Sequence, residues 1–171
     1  MEIYIKMVDK VNYFIRFLLA ALLMIMTVLI LYQVIVRFSS SYIDVVLPRW
    51  TEEIARYSMI WLVLLGASLA VRYSALIGME AIAERLNQKA QRVLRGITLV
   101  ISMAFFLIMI IYGFEMLGHV TNQLSPGAKL SMAIPYTAIP VGGLFMLINS
   151  IAVFIETLKG DLSREFFKGG E

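Results

Sequence analysis

The sequence contains no cysteine and a single histidine, His119, among its 171 residues. The absence of cysteine excludes disulfide bonds, thiolate metal sites and a cysteine nucleophile. One histidine excludes a bis-histidine haem and a histidine-rich metal cluster within this chain. Charged residues make up only 16% of the chain, whereas soluble domains have about 25%. We therefore expect no enzyme active site and no cofactor, and the small net charge of +3 indicates no nucleic-acid partner.

Apolar residues are abundant: they make up 60% of the chain, and its mean hydropathy is +0.83. This composition places the protein in the membrane class. Because about 20 helical residues cross the hydrocarbon core, four segments are predicted to span the membrane, at about residues 15–37, 52–72, 96–117 and 131–156. We predict an all-α membrane protein in which residues 1–171 form a single domain of four transmembrane helices.

The first two apolar segments differ in length. Phe17–Val36 has 20 residues, which is long for a signal peptide and sufficient for a span. The charge-free part of the second segment, Tyr57–Val71, has only 15 residues. A span there must include Arg56, whose long side chain can reach the membrane interface. A re-entrant segment buried in protein is the alternative, and we expect a span.

Proline and small residues indicate where helices bend and where they pack closely. In the fourth segment, Pro135 falls in the first helical turn, where a missing amide hydrogen is tolerated. Pro140 lies further along and is expected to kink the helix. Small side chains beside this kink and along the second helix permit close approach of another helix. The residues predicted to mediate this packing are Gly66, Ala67, Ala70, Pro140, Gly142 and Gly143.

Lysine and arginine are distributed unequally between the two sides that the four spans define. Eleven of the 15 fall in the terminal segments and between the second and third spans, and four fall in the other two loops. Positive residues favour the cytoplasm. Both termini are therefore predicted to be cytoplasmic, and the segments Ser39–Leu47 and Gly118–Lys129 are predicted to face the opposite side.

Between the second and third spans, apolar residues recur at helical spacing. Met79, Ile82 and Leu86 share one face, and polar residues occupy the other. This pattern predicts an amphipathic helix at about residues 78–95, lying on the cytoplasmic membrane surface. Its predicted anchors to membrane lipids are Arg85, Lys89, Arg92 and Arg95. A loop helix packed on other protein is the alternative.

The second span opens with a cluster of charged and aromatic residues, in the stretch PRWTEEIARYSMIW. On a helix, Arg49 can pair with Glu53 at i,i+4. Arg56 can pair with Glu52 at i,i+4 or with Glu53 at i,i+3. The residues predicted to form this structural or partner-binding cluster are Arg49, Trp50, Glu52, Glu53, Arg56 and Trp61. They either end the span at the water interface or face a partner, because charges at membrane depth are functional candidates.

Four further polar residues lie within or beside the predicted spans. Asn149 and Gln33 are each expected to form a hydrogen bond to another helix. Glu115 and His119 are spaced i,i+4 near the end of the third span, so their side chains can pair or carry a proton. A pair exposed to water at the interface is the alternative for these two.

The stretch RWTEEIARYSMIWLVLLGASLAVR resembles the signature of the small membrane subunit, or Q-type permease, of tripartite ATP-independent periplasmic (TRAP) transporters. The stretches Met132–Leu147 and Gln33–Arg37 are similar to the last helix of that family and to the close of its first. Family members often carry a histidine-isoleucine pair after the second helix. Here that place reads Ala75-Leu76-Ile77, so no histidine role is carried over. The matching positions in the first stretch are Trp50, Glu52, Glu53, Arg56, Trp61, Gly66 and Ala67.

The resemblance implies a component of a transporter in the bacterial inner membrane. In this family the small subunit binds a large, multi-span membrane subunit that holds the substrate and sodium sites. A periplasmic substrate-binding protein delivers an organic acid anion, such as a C4-dicarboxylate or a sialic acid. We expect this chain to act as a scaffold for the large subunit and as docking surface for the binding protein, with no substrate site of its own.

Two other functions remain open from the residues alone. One is a small transporter or channel that works without other subunits, which transport by the purified chain in liposomes would identify. The other is an anchor subunit of a different membrane complex, such as one for electron transfer. An optical spectrum of the purified protein would detect the haem that such an anchor often holds.

Overall fold

The computed structural model describes residues 2–39, 49–73 and 88–159. The regular structure in these ranges is helical, apart from one isolated bridge between Leu124 and Ser131. The helices are α1 (Glu2–Ser39), α2 (Arg49–Arg72), α3 (Gln88–Val120), α4 (Ala133–Tyr136) and α5 (Ala138–Lys159).

Four of these helical segments are long and apolar enough to cross a membrane: α1, α2, the part of α3 from Gly96 to Val120, and α4 together with most of α5. The predicted all-α fold with four transmembrane helices is therefore confirmed. The helices extend beyond the predicted spans, most of all α1, which begins at Glu2. The second segment is a continuous helix of 24 residues that includes Arg56, as expected for a span.

The predicted amphipathic helix falls largely outside the described residues. Residues 78–87, including Arg85, lie outside them, and so do the side chains of Lys89, Arg92 and Arg95. The backbone of residues 88–95 is helical and continues without a break into the third span. The interfacial position of this segment stays a prediction.

The fourth span is broken at Thr137, which separates α4 from α5. Pro140 is the third residue of α5, and a proline ring clashes with the carbonyl group four residues earlier, here that of Tyr136. The interruption predicted at Pro140 therefore lies three residues before it. The Thr137 amide still donates to the Ala133 carbonyl at 2.8 Å, and the Val141 amide donates to the Thr137 carbonyl at 3.2 Å. The two helices thus remain a single membrane-crossing unit.

The helices pack in the order α1, α2, α5, α3, so α2 and α5 form the middle of a row. In the most apolar 18-residue stretch of the fourth span, half of the residues are buried inside the chain. The corresponding share is 11% for α3 and 6% for α1. The two outer helices therefore present most of their apolar surface to whatever surrounds the chain.

Two adjacent glycines let α5 pack closely on both neighbours. A Cβ atom added at Gly142 would lie 2.8 Å from the Cβ of Leu64 in α2. One added at Gly143 would lie 3.0 Å from a side-chain carbon of Ile110 in α3. On the α3 side, a Cβ atom at Gly113 would lie 2.9 Å from the ring of Pro140. Contacts this short are possible only without side chains, which explains the central position of α5.

The small residues of α2 lie differently. A Cβ atom added at Gly66 would meet nothing within 4 Å, so none of the described helices approaches the backbone there. Ala67 and Ala70 are half-buried. This strip is open to a helix of another protein, and its role in packing stays a prediction.

Candidate functional site

Three charged side chains meet at the end of the row that holds the start of α1 and the end of α5. The Arg72 guanidinium donates two hydrogen bonds to Asp9 Oδ1, at 3.0 and 2.9 Å. It donates two more to the carboxylate of Glu156, at 2.6 and 2.9 Å. We call these three residues the Arg72 cluster. They come from α2, α1 and α5, so the cluster joins three helices.

The Arg72 cluster is largely removed from water. The side chain of Arg72 is 1% exposed, that of Glu156 is 14% exposed and that of Asp9 is 34% exposed. A buried ion pair contributes little net stability compared with apolar residues, but removal of one partner costs about 3–5 kcal/mol because the other charge remains buried. The three helices are therefore strongly constrained to stay together at this end.

A second polar contact lies one to two turns deeper in the same three helices. The side-chain amides of Asn12 and Asn149 donate to each other, at 2.7 and 3.1 Å. The Asn149 amide also donates to the Ser68 carbonyl at 2.8 Å. The two asparagines are 1% exposed, so few other partners are within reach. The predicted interhelical hydrogen bond of Asn149 is thus confirmed. The one predicted for Gln33 is not found among the described residues.

Two further contacts fix the start of α1. The Tyr4 hydroxyl donates to the Ile148 carbonyl of α5 at 3.1 Å. The guanidinium of Arg16 lies 4.6 Å from the ring centre of Tyr73, a cation–π contact. Polar contacts to α2 or α5 are therefore spread over the first four turns of α1.

Asp9, Arg72 and Glu156 were not among the residues predicted from the sequence. Arg72 and Glu156 are each the first charge after an apolar run, and Asp9 is the third charge before one, positions typical of solvated helix ends. One signal was present: Asn12 follows Asp9 by three residues, Ser68 precedes Arg72 by four, and all lie on single helix faces. A polar face that repeats in three helices at the same depth predicts a buried polar contact.

At the opposite end of the row, a loop surrounds the carboxylate of Glu53, which belongs to α2. Glu53 accepts hydrogen bonds from the Ser125 hydroxyl and from the amides of Gly127 and Ala128, the latter two at 2.8 Å each. A Cβ atom added at Gly127 would lie 3.0 Å from the Glu53 carboxyl group, so glycine is needed for this approach. We call the four residues Glu53, Ser125, Gly127 and Ala128 the Glu53 cradle.

The charges at the start of α2 divide into two groups. The predicted pair of Glu52 and Arg56 is present at 3.3 Å, and its side chains are 60% and 65% exposed, so it contributes little stability. The predicted pair of Arg49 and Glu53 is wrong. Glu53 turns to the cradle, whose three donors satisfy its oxygens, and Arg49 is exposed and forms no ion pair within the described residues.

The aromatic residues at this end also bind the segment after α3. The Tyr57 hydroxyl lies 3.4 Å from the sulfur of Met132, and the Trp61 indole donates to the Ile134 carbonyl at 3.1 Å. Since Glu53, Tyr57 and Trp61 follow one another at i,i+4, a single face of α2 holds the loop and α4. Trp50 is 44% exposed at the start of the helix.

The spacing of Glu115 and His119 produces a different contact from the predicted one. His119 Nδ1 lies 3.0 Å from the backbone carbonyl oxygen of Glu115, and no side-chain pair between them is present in the described part of the chain. Across residues 2–39, 49–73 and 88–159, no group of three histidine, aspartate or glutamate side chains could hold a metal ion.

Comparison with known proteins gives a consistent assignment. A family model described as "Tripartite ATP-independent periplasmic transporters, DctQ component" matches residues 26–160. A TRAP transporter small permease protein of Haemophilus influenzae is 26% identical over 149 residues, which are 86% of this chain and 89% of that protein. The sialic acid TRAP transporter small permease protein SiaQ of Vibrio cholerae is 25% identical over 115 residues, 64% of each chain.

A third relative is a much longer protein. The isethionate TRAP transporter permease protein DctMQ of Oleidesulfovibrio alaskensis is 27% identical over 140 residues, which are 78% of this chain and 21% of that protein. A fused permease of this kind indicates that the small subunit associates with the large membrane subunit. With a family match over most of its length and four membrane-crossing helices, the chain belongs to the DctQ family of small membrane subunits of TRAP transporters.

Proposed function

We propose that this chain is the membrane scaffold of a sodium-coupled TRAP transporter and holds the large transport subunit in place. The proposal rests on the row of helices, because the two outer helices are little buried within the chain. Only 6% of the most apolar stretch of α1 and 11% of that of α3 is buried within the chain. A row with two open faces suits a protein that lies between lipid and a large membrane partner.

The two polar ends of the row support a rigid scaffold. The Arg72 cluster joins α1, α2 and α5, and the Glu53 cradle holds the loop between α3 and α4. Within the described residues, the charged groups of both sets bind partners inside the chain. In the proposed transporter, the substrate and sodium sites belong to the large subunit.

The test is a pull-down of the tagged chain from its native membrane in a mild detergent, with mass spectrometry of the partners. A large, many-span membrane protein in a near equimolar ratio is the expected result. A chain that purifies alone, or only with copies of itself, would contradict the scaffold function. Transport by the purified chain in liposomes would then favour a small transporter that works without other subunits.

For the orientation, we propose that both termini are cytoplasmic in a bacterial inner membrane. The excess of lysine and arginine on that side supports it. The Arg72 cluster would then lie at the cytoplasmic end, and the Glu53 cradle at the periplasmic end. Cysteines introduced at exposed residues of the loop, such as Gln123, should react with an impermeant thiol reagent from the periplasm. Reaction only after lysis would show the inverse orientation.

The loop at residues 118–129 is proposed to contact the periplasmic substrate-binding protein. Its end at the cradle is fixed by Glu53, and the neighbouring Leu124 is 65% exposed on the isolated bridge to Ser131. Ser39–Leu47, the other predicted docking segment, lies almost wholly outside the described residues. A Leu124→Asp variant should weaken uptake at limiting binding protein and leave assembly with the large subunit intact. Unchanged uptake would remove this loop from the docking surface.

For the substrate, we propose an organic acid anion of the C4-dicarboxylate or sialic acid type. The sialic acid transporter subunit among the relatives supports this class, and the isethionate permease extends it to other organic anions. Because the selecting residues lie in other subunits, the matching experiment is uptake by the complete transporter with each labelled anion, with and without sodium. Uptake of only neutral sugars would contradict the proposal.

A further inference from the structure

A cavity of about 370 Å³ lies at the cradle end of the row, between α2 and the segment that contains α4. This volume falls in the usual range of ligand sites, roughly 300–1,000 Å³. One wall includes Arg56, Tyr57 and Ile60 of α2, and the other includes Pro135, Tyr136 and Ile139. The residues of each wall recur at helical spacing, so the cavity is a groove between two helical faces.

The groove changes from charged to apolar along its length. Arg56 lies nearer the start of α2, and Ile60 lies one turn deeper in the row. On the other wall, Tyr136 lies near the end of α4, and Ile139 follows it toward the middle of the row. A ligand that fits both parts has a polar group at one end and an apolar chain at the other.

Two hydrogen-bond donors at the polar end have free capacity. Arg56 has five N–H donors, and its one ion pair with a described residue is the 3.3 Å contact to Glu52. Its side chain is 65% exposed. The Tyr136 hydroxyl forms no hydrogen bond with any described residue. Glu53 also lines the groove, but the Ser125 hydroxyl and two backbone amides already occupy its oxygens.

The depth of Arg56 in the membrane indicates which anions can reach its guanidinium. The 24 residues of α2 are about 36 Å long, against about 30 Å for the hydrocarbon core. Arg56 lies about 10 Å from the start of that helix, so in a centred helix its Cα is about 7 Å inside the core. Its long side chain can extend back to the boundary between head groups and acyl chains. A guanidinium at this depth is stabilised by an anion. Phosphate diesters of lipids lie nearby and accept two parallel hydrogen bonds from arginine.

We propose that this groove binds one phospholipid of the surrounding leaflet. The phosphate accepts hydrogen bonds from Arg56 and Tyr136, and an acyl chain lies along Ile60 and Ile139. The bound lipid covers the open side of the groove. Its phosphate is the acceptor for those N–H donors of Arg56 that Glu52 does not occupy. The proposal rests on the groove and on membrane insertion, and it is independent of the scaffold function.

The test is native mass spectrometry of the full chain, purified from its membrane with any bound partners, during titration with palmitoyl-oleoyl phosphatidylglycerol. An Arg56→Gln variant should bind the lipid about tenfold more weakly, the loss expected for charged hydrogen bonds. An Ile60→Trp variant, which fills the apolar part, should also lose binding. Lys129→Gln is the matched control, since Lys129 is an exposed cation at the same end and does not line the groove.

Four results would overturn the proposal. One is a wild-type chain that binds no phospholipid, and another is equal lipid affinity in the Arg56→Gln and Lys129→Gln variants. The third comes from a photo-crosslinking residue at position 136 in native membranes: crosslinks to the large subunit in place of lipid would show that a protein helix fills the groove. Displacement of the lipid by millimolar inorganic phosphate would show that the site recognises the anion alone, which also contradicts it.

Discussion

The two ends of the helix row are held together in different ways. At one end, Arg72 joins side chains from three helices and is 1% exposed. At the other, Glu53 receives donors from one loop, mostly backbone amides. The Arg72 cluster therefore fixes the positions of whole helices, because both carboxylates bind the same buried guanidinium. The Glu53 cradle fixes the shape of one loop, and the helices there are joined by the Trp61 hydrogen bond to α4, apolar packing and glycine contacts.

The largest expected effect follows from removal of the central cation. An Arg72→Met variant removes the buried cation that Asp9 and Glu156 share, so it should lose about 3–5 kcal/mol of unfolding free energy. The measurement is denaturant unfolding of the purified chain in detergent, followed by tryptophan fluorescence. A triple variant, Asp9→Asn, Arg72→Met and Glu156→Gln, should recover most of the loss. Equal instability of the single and triple variants would contradict an uncompensated charge as the cause.

The asparagine pair should show a smaller effect at the same end. Asn149→Ala leaves the Asn12 amide buried without its partner, so the expected loss is about 1–3 kcal/mol. A double-mutant cycle with Asn12→Ala should give losses that are less than additive. Asn122→Ala, at an exposed asparagine, is the matched control and should be neutral. Additive losses in the cycle would show that the two amides do not depend on each other.

Loss of the cradle should affect the loop alone. Glu53→Gln replaces one acceptor oxygen with a donor group, so one of the two amides, that of Gly127 or that of Ala128, loses its acceptor. Hydrogen–deuterium exchange of the loop peptide should become faster, while exchange of the α1 peptide near Asp9 stays unchanged. Glu52→Gln, one residue away and outside the cradle, is the matched control. Faster exchange at both ends would show that the cradle also holds the helices.

The exposed pair should have the smallest effect of all. Glu52→Gln removes a contact between side chains that are 60% and 65% exposed. The expected change in the unfolding free energy is below about 1 kcal/mol. This change can be measured by denaturant unfolding of the isolated chain, as for Arg72→Met. A loss as large as that of Asn149→Ala would mean that burial at the start of α2 is greater than the structure indicates.

Hydropathy predicted the number of spans because the length of a membrane helix is set by the bilayer. The position of the proline break was less predictable, since the clash acts on the carbonyl of Tyr136 and the interruption lies at Thr137. Gly142 and Gly143 were predicted as packing residues, but the sequence did not indicate that each one faces a different helix. That assignment depends on the order of helices in the row, which is a tertiary property.

The polar sites were harder to predict for a physical reason. Spacing within one helix predicted the pair of Glu52 and Arg56 because both partners lie on α2. It failed for Glu53, whose partners lie more than 70 residues away. Spacing within one helix could not predict the Arg72 cluster either, because Asp9 and Glu156 come from opposite ends of the sequence. A charge beside an apolar run predicts a helix end, and only the packing shows whether that end is exposed or buried.

The central claim is that the Arg72 cluster makes α1, α2 and α5 one rigid unit of the scaffold. Since the chain has no cysteine, spin labels can be attached at Lys10→Cys and Ile151→Cys, both at exposed positions. Pulsed electron paramagnetic resonance then gives the distance distribution between α1 and α5. We predict one narrow distribution that is unchanged by the large subunit, substrate or sodium. A broad distribution, or a second distance under any of these conditions, would contradict the account.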